Sequence, residues 1–163
     1  MDSSLHLRQK FTFRAHGRKA VFIKKPVEHL RHVLMKAFLW ALYLPEYPRL
    51  RVEVPIGNRY KPDLVETDEH SRPVFWGEAG RVGARKMRTL VERYGHTHFA
   101  FAKWDANLAP IENILVKPMA SRSRTSPVDL ISFPDDSADR FIDPQGGIRL
   151  SLADVKWRRH PAG

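Results

Sequence analysis

The chain has 163 residues, 42% of them hydrophobic, and carries 28 Lys and Arg against 18 Asp and Glu for a net charge of +10. That length and apolar content suit one globular domain with a real core, and the charge favours a polyanionic partner, for which nucleic acid is the commonest choice. The absence of cysteine excludes disulfides, thiolate zinc sites and a cysteine nucleophile.

The longest apolar run, AFLWALYL, is far too short for a membrane span. The opening MDSSLHLRQK has no apolar signal core, so cytoplasmic residence is expected. KFTFRA and AVFIK alternate apolar and polar residues around the polar HGRK, which predicts an N-terminal β-hairpin over residues 10–24. After Pro26, the residues Val27, Leu30, Leu34, Ala37, Phe38 and Ala41 recur at helical spacing. The second half of this helix is apolar nearly all round, so it should be packed on more than one side, and Pro45 and Pro48 end it.

LRVEVPI predicts a strand, and RYKPDLVETDEHSRPVFWGEAG predicts a hairpin with TDEHSR as its turn. With pairing symmetric about that turn, Asp63 lies opposite Trp76 and Lys61 opposite Glu78. Asp63 and Glu78 then point to the same side as diagonal neighbours, with β-carbons on the order of 7 Å apart. A register slip by one residue would break that convergence. Residues 82–94 predict a basic helix buried through Val82, Met87, Leu90 and Val91 and stopped by Gly95. HTHFAFAKW, ENILVKP and VDLISF each predict a strand, and GGIRLSLADVKW adds one or more. The expected organisation is one α/β domain over residues 1–154, with 155–163 as a flexible basic tail. A helix between two strands permits a parallel crossover, hence a mixed central sheet flanked by helices.

The order of helix, strand, strand with Pro62-Asp63, strand ending in Glu78-Ala79-Gly80, helix and strand resembles the core of the restriction-endonuclease-like nucleases. Their motif is Pro-Asp, a gap, then Asp or Glu, any residue, and Lys. More narrowly, FTF, HVLMKAFLWALYL, KPDL, FWGEAG, ARKMRTLVERYG and ENILV together resemble the YaeQ family of bacterial proteins built on that fold. The resemblance implies that Asp63, Glu78 and the Ala79 carbonyl hold a Mg²⁺ or Mn²⁺ ion, with Glu28 as the acid that some members supply from the long helix. Such an ion polarises a phosphate and activates a water toward phosphorus. Gly80 stands where the nuclease motif has its lysine, as in YaeQ proteins. Lys86 on the next helix is the leading replacement cation, with Lys61, Arg81 and Arg85 as further candidates.

Arg81, Arg85, Arg88 and Arg93 are the expected phosphate-tracking residues. Trp40, Tyr43 and Trp76 sit in apolar patterns and are expected in the core. His96 and His98 alternate on one strand without a third ligand, and His29 and His32 lack an HExxH pattern, so structural roles are expected for all four. No phosphate-loop, dinucleotide or nucleophile-elbow motif occurs. The sequence therefore supports a metal-dependent nuclease acting on DNA or RNA, or a silent nuclease fold kept as a nucleic-acid or protein binding module. Homodimerisation, which would bring two sites onto two strands, is left open.

Overall fold

In the computed structural model, which describes residues 8–120 and 123–162, the first alternating segments form the antiparallel hairpin β1 (Gln9–Ala15) and β2 (Arg18–Lys24). His16 and Gly17 turn the chain with positive φ. The long helix α1 spans Leu30–Tyr43, starting later than the periodicity suggests. Val27 has φ of 59° and is 70% exposed, because a turn closes first: the Glu28 amide donates to the Lys25 carbonyl and the Glu28 carboxylate accepts the Lys25 amide. From Val33 to Ala41 every side chain of α1 is buried, as its all-round apolar pattern requires.

A six-stranded sheet follows, in chain order across its width: β3 (Arg51–Val52), β4 (Leu64–Thr67), β5 (Pro73–Ala79), β6 (His98–Trp104), β7 (Val128–Phe133) and β8 (Lys156–His160). The outer pairs are antiparallel, and β5, β6 and β7 run parallel. Helix α2 (Ala84–Arg93) makes the first parallel crossover and α3 (Ala109–Met119) the second; a short α4 (Ser137–Phe141) follows β7. One face packs Phe75, Ala79, Ala100, Ala102, Ile131 and Phe133 against α1 and the hairpin. The other packs Trp76, Phe99, Phe101 and Leu130 against α2 and α3. The expected mixed α/β sheet flanked by helices is the observed architecture.

Two segments differ from the sequence reading. ENILVKP is part of α3, not a strand. Parallel β6 and β7 need a crossover between them, and Leu108, Ile111 and Leu115 supply its buried stripe at helical spacing. Asn107 accepts the Ala109 amide at the helix start, and Pro110 suits the first turn. The segment expected to be a flexible tail instead supplies β8, paired antiparallel to β7. It is anchored by Arg159, whose Nε and Nη2 donate to the wholly buried Asp129 at 2.8 and 2.9 Å.

Asp129 also accepts Tyr43 Oη and His98 Nε2, both at 2.7 Å, while Nδ1 of His98 meets Tyr47 Oη at 2.8 Å. This network ties α1, β6, β7 and β8 together at the N-terminal ends of the parallel strands. It also accounts for His98 as a structural residue.

Candidate active site at the end of β5

The hairpin that delivers the two acids is shifted by two residues from the symmetric pairing. Asp68 accepts the amides of His70 and Arg72 through Oδ1, closing a tighter loop that puts Thr67 opposite Pro73. A bulge between Glu66 and Thr67 adds a second step, so Val65 pairs with Trp76 and Leu64 with Gly77. Continuing the ladder by one residue sets Asp63, not Lys61, across from Glu78. Because two single steps make an even shift, both acids keep the same face. The β-bulge changes which residues oppose each other without undoing the convergence.

Each carboxylate is held. Asp63 Oδ2 accepts the Ala79 amide at 2.8 Å, and Glu78 Oε1 accepts Trp76 Nε1–H at 2.9 Å. Asp63 makes its contacts through Oδ2 and Glu78 through Oε1, leaving Oδ1 of Asp63 and Oε2 of Glu78 without a hydrogen bond among the described residues. Burial pushes the Glu78 carboxyl up to about 7, and the charge of Asp63 adds to the push. For Asp63, burial acts upward too, but His32 and the Ala79 amide outweigh it and hold this acid below its ordinary range. Two neighbouring acids thus have their affinities for protons driven apart.

Glu28, placed just before α1, is engaged elsewhere. Its Oε2 lies 2.9 Å from the buried Lys36 Nζ and 2.5 Å from His32 Nδ1. Lys36 donates equally to Glu53 at 2.9 Å, and these two acids hold its ammonium charged against the opposing effect of burial. Glu53 reaches Lys36 because its φ of 53° ends β3 after only two residues. His32 bridges the two groups, with Nε2 3.6 Å from Asp63 Oδ2. Among the described residues, no three His, Asp or Glu side chains gather as a ready-made metal cage.

Of the expected cations, Lys86 meets an acid of the pair and Lys61 does not among the described residues. Lys86 Nζ lies 3.4 Å from Glu78 Oε1 and 5.1 Å from the Tyr60 ring centroid. Lys61 is exposed on the loop before β4, lining a shallow groove with Glu28, His32, Glu53 and Asp63. Arg85 and Arg88 face solvent one turn apart on α2, and Arg81 and Arg93 are exposed at its two ends. Lys103 of β6, which the sequence reading passed over inside FAKW, donates to the Gly80 carbonyl. Only the parallel register, which no single-strand pattern reveals, would have pointed to it.

No protein-family model and no curated protein matches the sequence. Among solved structures, the chain is similar to the YaeQ protein from Pseudomonas syringae, at a TM-score of 0.57 and 17% identity over 83% of this chain and 76% of that one. It is similar to the YaeQ protein from Xanthomonas axonopodis pv. citri at 0.56 and 17%, over 88% and 82%. The chain has the YaeQ fold.

On that YaeQ fold the acid pair sits where the parallel strands end at their C-terminal edge, the usual place for a site in an α/β sheet. Gly80 ends β5 with φ of 83°, and a β-carbon there would come 3.3 Å from His32 Cδ2. A lysine at this position would be strained and crowded, so any cation has to arrive from a neighbouring element.

Proposed function

We propose that the chain is a metal-dependent phosphodiesterase that hydrolyses a nucleic-acid backbone. The observation that carries this reading is the Lys86 ammonium 3.4 Å from Glu78, beside the Asp63 and Glu78 carboxylates. Magnesium keeps several waters and is commonly held by one or two carboxylates together with substrate phosphate. The two acids, each with one oxygen not hydrogen-bonded among the described residues, fit an ion shared with substrate better than a closed protein site. Such an ion supplies charge stabilisation at phosphorus and a more acidic water.

The protein's own groups do the rest. The Ala79 amide and the Trp76 indole fix the two carboxylates in place. Lys86 offers a positive charge where negative charge grows on the phosphoryl oxygens. Its ammonium lies over the face of the Tyr60 ring, a cation–π contact that limits the directions it can take.

The test is a cleavage screen on single- and double-stranded DNA and RNA with Mg²⁺ or Mn²⁺, using wild type, Asp63→Ala and Lys86→Ala. Cleavage lost in Asp63→Ala and lowered by about 10²-fold or more in Lys86→Ala is the expected result. A wild type that binds these substrates and cleaves none of them would overturn it. That outcome would instead support a binding module, the reading favoured by Glu28 being tied to Lys36 and His32.

A further inference from the structure

Lys103, near the end of β6, and the exposed Arg81, just beyond β5, lie at the same edge of the sheet as Glu78, and the surroundings of Lys103 differ from those of the buried cations Lys36 and Arg124. Lys36 is neutralised by two acids. Arg124 is wrapped by the carbonyls of Val91, Tyr94, Thr97 and Ser126. Lys103, partly buried, has a single hydrogen bond among the described residues, from Nζ to the Gly80 carbonyl at 2.5 Å. Neither Lys103 nor Arg81 forms an ion pair with an acid among the described residues. The charge that acts on Lys103 is the like charge of Arg81, which adds to burial in pulling its ammonium below the usual lysine range. Lys103 holds the Gly80 carbonyl and Arg81 follows Gly80 directly in the chain, so two cations without an acid partner among the described residues meet beyond the end of β5, one of them partly removed from water, a cost that a bound anion would relieve.

The position of this pair identifies the anion. The register of β5 and β6 pairs Glu78 with Phe101 and Ala79 with Ala102, which brings Lys103 across from Gly80. Asp63 takes the amide of Ala79 and Lys103 takes the carbonyl of Gly80. The acid pair and the cation pair are therefore anchored on adjacent residues at one strand end, so a strand bound at the acids runs past the cations.

We propose that Lys103 and Arg81 form a seat for a backbone phosphate of a nucleic-acid strand, immediately beside Asp63 and Glu78. The inference rests on the hydrolytic reading for its choice of ligand, but the seat itself needs neither metal nor cleavage.

The experiment is fluorescence anisotropy with a short fluorescein-labelled single-stranded DNA, titrated without metal at several salt concentrations. Wild type is compared with Lys103→Met, Arg81→Ala and the distant exposed-lysine control Lys10→Ala. Lys103→Met keeps the apolar stem, and Arg81→Ala changes an exposed residue, so one tests the seat if the other fails to fold. Each seat variant is expected to weaken binding about tenfold and to lower the slope of log affinity against log salt by about 0.7, the value for one phosphate contact on a single strand. The control should leave both unchanged.

Seat variants that behave like the control, or a wild type that does not bind the strand, would overturn the proposal. Loss of binding in the seat variants of a protein that cleaves nothing would keep the seat and remove the hydrolysis. Cleavage by wild type with no effect in the seat variants would do the reverse.

Discussion

Replacing Glu78 by Gln should make the protein more stable at pH 8. The Glu78 side chain is 5% exposed, and burial followed by the charge of Asp63 raises its carboxyl from 4.5 to about 7. A raised folded-state value means that the folded protein holds a proton the unfolded chain releases. The associated stability is complete below about pH 4.5 and is lost as the pH rises through 7. Above that, ionised Glu78 costs the fold about 3 kcal/mol, at 1.36 kcal/mol for each step in the constant. Glutamine carries no charge at any pH and still offers an oxygen to the Trp76 indole. It gives up the charged contact with Lys86, whose favourable effect is already contained in the value of about 7, and the Lys86 side chain, 28% exposed, can turn to water. The net expectation is a gain of about 3 kcal/mol at pH 8 and almost none at pH 4, read from urea unfolding of wild type and Glu78→Gln at both values. Equal or lower stability of Glu78→Gln at pH 8 would mean that Lys86 fully compensates the buried charge. Glu78 would then be an ordinary ion-pair residue rather than a group held at a cost for chemistry.

Asp129 should titrate in the opposite sense. Burial alone would raise it, but its hydrogen bonds with Arg159, His98 and Tyr43 prevail and bring it to about 2 from 3.8. It therefore contributes about 2 kcal/mol that is present above pH 4 and lost as the pH falls toward 2. Asp129→Asn should lower stability at neutral pH and flatten that part of the acid-unfolding profile, and an unchanged profile would count against the network. Truncation after Asp154 removes β8, leaving buried Asp129 without Arg159 and the edge of the apolar strand β7 unpaired. An unpaired apolar edge invites aggregation, so the truncated chain should be much less soluble and unfold at lower denaturant; a dispensable tail would come off without either change.

The acid pair was legible in the sequence because its geometry rests on parity: Asp63 and Glu78 share a face under either of two pairings an even number of residues apart, and the loop and bulge together moved the strand by two. The apolar alternation of the N-terminal hairpin and the all-round burial of α1 were readable for the same reason, being properties of one segment at a time. ENILV was ambiguous because a short run of branched apolar residues fits a strand or a buried helix turn, and only the parallel pairing of β6 with β7 decides for the helix. WRRH reads as solvated charge until Asp129 of β7 is known to face Arg159. The partners of the acid pair are further from the sequence still. Glu28 and His32 are four residues apart, but the link from His32 to Asp63 crosses from α1 to the start of β4, and Lys103 meets Gly80 through a register between strands joined by α2. Acids fixed by local alternation are visible in a single chain, whereas the cations that would set their chemistry depend on which strands become neighbours.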